Sequence, residues 1–155
     1  IEGDSAWVAD LVAIVPALSG LPVRQELAVT GSFNQLGEVQ AVGDGIEKVE
    51  GYFRVTAKER AEGMRHGVVL PLANAGDLVV EDEVAGGGTE GTFSIWAVER
   101  VEEAVELFLG CPAAEAYDRA ASTLKAFDAL IKDRLMPDPW RVRAEAAHAE
   151  PDDPD

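Results

Sequence analysis

Two residues in this sequence have the type and setting that acyl-transfer chemistry requires. Ser5 stands in "EGDSAW" (2–7), just ahead of Trp7-Val8-Ala9-Asp10-Leu11-Val12, an apolar run with helical spacing. A hydroxyl becomes a nucleophile once a base takes its proton and donors hold the oxyanion that forms. The free N–H groups at a helix start are such donors. Lys48 follows "VGDG" (42–45), a glycine-rich turn, and opens the next helical segment. A lysine withdrawn from water loses its preference for the ammonium form and can then act as the base. Each residue also has a plainer reading: Ser5 as a helix cap, Lys48 as a solvated surface charge.

Other bases are scarce. His66 begins the apolar run "HGVVLP", where it can satisfy its polarity at a strand edge, and His148 lies in the C-terminal tail. A serine–histidine–aspartate triad is therefore poorly supplied. Lys58 falls in "AKERAEG", a solvated helical face, and Lys125 and Lys132 lie among acids in the last helical segment. Acidic residues are plentiful but follow no known cation-loop spacing, so no metal site is expected. "GGGTEGTF" (86–93) has glycines but no lysine and is not a phosphate loop. No ATP site is expected within the chain.

The 155 residues suffice for one domain with a sizeable core. With 13 Lys+Arg against 29 Asp+Glu the net charge is −16. A surface so acidic repels phosphate backbones and anionic lipids, which argues against nucleic-acid and membrane partners. The one cysteine, Cys111, excludes an internal disulfide and fits a reducing, cytoplasmic setting. No apolar run approaches the roughly 20 residues of a bilayer span. The chain opens directly on the Ser5 motif with no leader, which raises the expectation that an N-terminal portion is missing.

The elements that must position these residues alternate. A helix is predicted over 5–18 with Ser5 near its N-cap, ended by Ser19-Gly20. "RQELAVTGSF" (24–33) reads as a strand entering a turn and "GEVQAVG" (37–43) as its partner. Ile46, Val49, Phe53 and Ala57 predict one helix running to Glu62 and closing near Gly63. "HGVVLP" (66–71) and "FSIWAV" (93–98) read as buried strands, with "LANAGDL" between them as a loop or single helical turn. "EDEVAGGGTEGT" (81–92) reads as a mobile loop and 100–110 as a helix capped by Gly110. A last helix over 114–135 carries Ala116, Ala120, Leu124, Phe127 and Leu130-Ile131 on one stripe. The acidic tail from Pro137 is read as disordered. The fold class is α/β, with the domain over 1–110, a helical extension over 111–136 and the tail over 137–155.

"EGDSAW…PVRQELAVTGSFNQLGEVQAVGDGIEKVEGYF" resembles the proteolytic domain of the Lon family, the serine–lysine peptidases, in its archaeal-type and Lon-like branch. "GVVLPLAN" (67–74) resembles that family's strand and asparagine-bearing loop, and "FSIWAVERVEEAVELFLG" (93–110) its closing strand and helix. The pieces follow in the family's order over residues 1–110, with Ser5 and Lys48 43 positions apart. The resemblance implies Ser5 as nucleophile, Lys48 as general base, and Thr30 as a hydroxyl near the lysine. It implies Asp4 and Glu2 as an acidic pair beside the catalytic groups. Thr30 reads equally as an ordinary strand residue, and the two acids as partners of a helix dipole. The same resemblance implies polypeptide substrates and assembly into a homohexamer, with ATP entering only through an ATPase module upstream or on another chain.

The sequence departs from the family at four points. Gly43-Asp44 replaces a glycine pair, and an Asp44 carboxylate reaching Lys48 would raise its pKa and weaken it as a base. Trp7 is bulky where the family carries a small residue. The strands that precede the serine in the family are absent, and the glycine-rich 85–91 stands where the family has an acidic helix. The expected function is a Lon-type serine endopeptidase. A non-catalytic Lon-like scaffold or interaction module remains the rival, and a Lon-like fold serving a different hydrolase is a third reading.

Overall fold

The run His66–Pro71 lies at the centre of the molecule as β4, all six residues buried. The computed structural model describes residues 3–134, so Glu2, His148 and the acidic tail lie outside the described residues. β4 pairs in parallel with β1 (Leu27–Val29) on one side and β5 (Phe93–Val98) on the other. A separate antiparallel hairpin joins β2 (Ser32–Phe33) and β3 (Val39–Gln40).

Successive strand residues point to opposite faces, so an unbroken apolar run serves two cores at once. On one face Val69 meets Val8 and Val12 of α1 (Trp7–Ser19) and Ala104 and Phe108 of α6 (Val101–Leu109). On the other, Val68 and Leu70 meet Val49 and Phe53 of α2 (Gly45–Val55) and Val84 of α5 (Asp82–Thr89). The result is a parallel sheet between two helical layers, an α/β domain. Each fully buried valine or leucine of β4 contributes roughly 1.5–3 kcal/mol.

Gly67 sets how closely β4 and β5 meet. A Cβ there would overlap the Trp96 ring and press on the Ser94 carbonyl. Backbone cannot yield as a side-chain tip can, so Gly67→Ala is expected to cost about 2 kcal/mol. A urea titration checks this through a lowered midpoint at unchanged slope.

Four expectations are corrected. The helix over 46–62 is broken at Thr56, with α3 (Ala57–Ala61) beyond it. The buried Thr56 hydroxyl bonds back to the Tyr52 carbonyl at 3.0 Å, a known source of helix irregularity. Residues 82–89 form a helix where a loop was expected. Packing outweighs glycine's cost of about 1 kcal/mol per residue: Val84 is buried, and a Cβ on Gly87 would lie 2.7 Å from Phe53 Cε2. β5 is the edge of its sheet, so Phe93 and Val98 alone among its residues are buried. In α7 (Ala113–Arg134) the apolar stripe divides. Ala113 and Ala116 pack with Val15 and Val105, whereas Leu124, Phe127, Leu130 and Ile131 are half-exposed.

Candidate active site

Ser5 sits in the turn leading into α1, and the structure corrects its role as a cap. The N-cap is Ala6, with no side-chain bond. The first-turn donors are met by main-chain carbonyls: Trp7 N–H donates to Asp4 O at 3.0 Å and Val8 N–H to Gly31 O at 3.1 Å. The Trp7 and Val8 donors are thus committed, which narrows the oxyanion donors expected at this helix start. Among the described residues, the Ser5 and Ala6 N–H groups find no acceptor.

The anchor of Ser5 is its carbonyl. It accepts from Gly31 N–H at 2.8 Å and from the Thr30 hydroxyl at 3.2 Å. Thr30 itself is buried and donates its N–H to Val69 O of β4. Gly31 allows the approach, since a Cβ there would stand 2.9 Å from Val8 Cγ2. Ser5 and Thr30 are therefore brought together just past the carboxyl end of β1. Asp4 is exposed, and Trp7, half-exposed, meets Phe33 edge-on at 6.2 Å, forming an aromatic shelf beside the serine.

Lys48 lies in the first turn of α2, entered through Asp44 at φ 57°. Its ammonium donates to Gly43 O at 3.0 Å; no hydrogen bond joins it to Ser5 or Thr30, and no ion pair joins it to Asp44. The dry pocket expected around it is not formed. Val49, its neighbour, turns inward to Phe53, Val68 and Leu70, which leaves Lys48 half-buried on a different face of the helix. Asp44 thus matters here through its backbone. Left-handed φ strains a residue with a Cβ, while glycine loses more chain entropy on folding. Asp44→Gly is expected to raise stability by up to about 1 kcal/mol, read as a small rise in the thermal midpoint.

The turn carrying Lys48 is tied down by a residue whose role sequence reasoning missed. Asn74, in α4 (Leu72–Ala75) directly after β4, accepts from Val42 N–H at 3.0 Å and donates to Val42 O at 2.9 Å. The signal was present in "PLAN", a side-chain amide one turn past a strand end, but its partner is 32 residues away.

Ser5 at the end of β1 and the Lys48 turn at the end of the adjacent β4 therefore share one edge of a parallel sheet, where α/β proteins bind ligands. His66 is at the opposite edge, three residues down β4 from Val69, roughly 10 Å away at strand rise. There its Nδ1 lies 3.2 Å from the Tyr52 hydroxyl and its Nε2 3.7 Å from Glu59. Burial, reinforced by Glu59 and Glu26, pushes the Tyr52 phenol above its usual range. His66 is structural.

The fold is thus an α/β domain whose candidate site lies at the carboxyl ends of its parallel strands. Residues 1–110 match the Lon protease (S16) C-terminal proteolytic domain, and the chain belongs to that peptidase family. It is 41% identical over 109 residues to a Lon protease homolog of Escherichia coli, covering 70% of this chain and 18% of that protein. Identity to the archaeal Lon protease of Archaeoglobus fulgidus is 32% over 106 residues, 68% of this chain and 15% of that protein. The chain thus spans less than a fifth of these relatives. α7 lies beyond the matched residues. No helix among the described residues is long and apolar enough to cross a membrane.

Proposed function

We propose that this chain is a serine endopeptidase of Lon type that hydrolyses polypeptides with Ser5 as nucleophile and Lys48 as general base. The observation that carries it is the shared sheet edge: Ser5 is fixed to the end of β1 and the Lys48 turn to the end of β4, in a member of a peptidase family. Lys48 leaves the Gly43 carbonyl by rotation of its flexible stem and, when neutral, takes the Ser5 Oγ proton. Oγ attacks the scissile carbonyl, and the Ser5 and Ala6 N–H groups hold the oxyanion. The resulting ammonium gives its proton to the departing amine. Water, deprotonated by Lys48 in turn, then releases the acyl group from Ser5.

In this reading Thr30 orients the nucleophile through its carbonyl. Asp4 and Glu2 are proposed as supporting acids, and the Trp7–Phe33 shelf as a wall of the substrate groove. Assembly as a homohexamer belongs to the same proposal, as does ATP dependence conferred from outside this chain. The test is labelling by a serine-directed fluorophosphonate and location of the adduct by mass spectrometry. An adduct on Ser5 supports the assignment. A folded chain that takes no label favours the scaffold reading, whose motive is the ammonium resting on Gly43 and not on Ser5.

A further inference from the structure

We infer that Asn74 is a positioning residue for Lys48. Val42 follows β3 and belongs to no strand, so its N–H and C=O have no ladder partner. The Asn74 amide meets both, at 3.0 and 2.9 Å, as a neighbouring strand would. Only one orientation of the amide satisfies an N–H and a C=O together, which fixes its direction. The Val42 carbonyl and Gly43 N–H share one peptide plane, and the Gly43 carbonyl that follows it is the acceptor of the Lys48 ammonium. The chain of contacts is therefore short: Asn74, the Val42–Gly43 peptide, the Gly43 carbonyl, Lys48 Nζ. Between the clamp and the lysine lie Gly43, Asp44 in the left-handed region and Gly45, a stretch with little rigidity of its own. Asn74 also packs on Gly45, where a Cβ would come within 3.6 Å of its Nδ2. The amide supplies from α4 the rigidity that this turn lacks.

Without the clamp the peptide turns, the acceptor is lost, and neither the turn nor the Lys48 head group keeps a fixed place. The charged groups around this corner are Asp44 and Glu47 at the start of α2 and Asp77 after α4. Asn74→Ala alters none of them, so a change at Lys48 cannot come from a change of charge.

The test is a 13C spectrum at one pH of the intact chain labelled at lysine Cε, which follows Lys48, Lys58, Lys125 and Lys132 together. In Asn74→Ala the Lys48 Cε signal is expected to narrow and move toward that of a freely rotating lysine, with Lys58, exposed on α3, unmoved. If Asn74→Ala unfolds, Asn74→Ser serves instead, because its short hydroxyl cannot span both groups of Val42. A Lys48 signal unchanged from wild type in a folded variant overturns the proposal. The catalytic consequence rests on the proposed peptidase function: kcat falls at least tenfold with KM little changed. A selective Lys48 shift in a chain that cleaves nothing supports the Asn74 assignment and sinks the peptidase reading.

Discussion

Ser5→Ala is expected to abolish hydrolysis of an unfolded protein substrate and labelling by a fluorophosphonate, with the thermal midpoint nearly unchanged. Without Oγ there is no atom to attack the carbonyl, and losses of 10⁴-fold or more are typical when a nucleophile is removed, leaving only binding and oxyanion contributions (roughly 10³–10⁴ over water). Stability is spared for a reason the structure supplies. The Ser5 hydroxyl makes no cap bond to α1, so even the usual cost of about 1 kcal/mol for losing a cap does not arise. The measurements are a casein-type proteolysis assay and a melting curve on the same preparation. Wild-type activity in the alanine variant excludes Ser5 as the nucleophile.

Lys48→Arg is expected to be as inactive as Ser5→Ala on short peptides, while folding normally. The guanidinium keeps the charge and can still donate to the Gly43 carbonyl. It stays protonated at any physiological pH, however, and cannot accept the serine proton. Lys48 is half-buried and its apolar neighbour Val49 carries the packing, so the larger head group meets little resistance. Peptide cleavage is measured across pH 6 to 10, a window that lies below the unperturbed lysine value of ~10.4. Activity above a trace in the arginine variant removes the serine–lysine mechanism for this chain.

The central strand was legible because "HGVVLP" has no polar side chain after His66 and so demands two covering layers, which the structure provides. The helix of 101–109 was equally plain, since Gly110 at φ 67° ends it as a left-handed cap. Readings failed where a distant contact overrode a local signal. Three glycines (86–88) said loop, but Phe53, far back in the chain, accepts the bare face of Gly87. "FSIWAV" looked like β4 in composition, yet edge position is a property of the sheet and not of the strand. Of the candidate site, Ser5, Thr30 and Lys48 were named from residue type and from the resemblance, and the structure joins the first two. That the Thr30 hydroxyl faces the Ser5 carbonyl, and the Lys48 ammonium the Gly43 carbonyl, is a matter of rotamer and main-chain direction. Periodicity carries no information about either.

The hold on Ser5 through its own carbonyl has an evolutionary consequence under the proposed function. Every amino acid has that oxygen, so Gly31 N–H and the Thr30 hydroxyl would keep their grip whatever side chain occupied position 5. If Ser5 is the nucleophile as proposed, one codon change would extinguish the chemistry without loosening the fold, and selection for the fold alone would not oppose it. A lineage using this domain for assembly could therefore arise from a cleaving ancestor in a single step. Reversal would be equally short, because the pocket's main chain would have been preserved throughout.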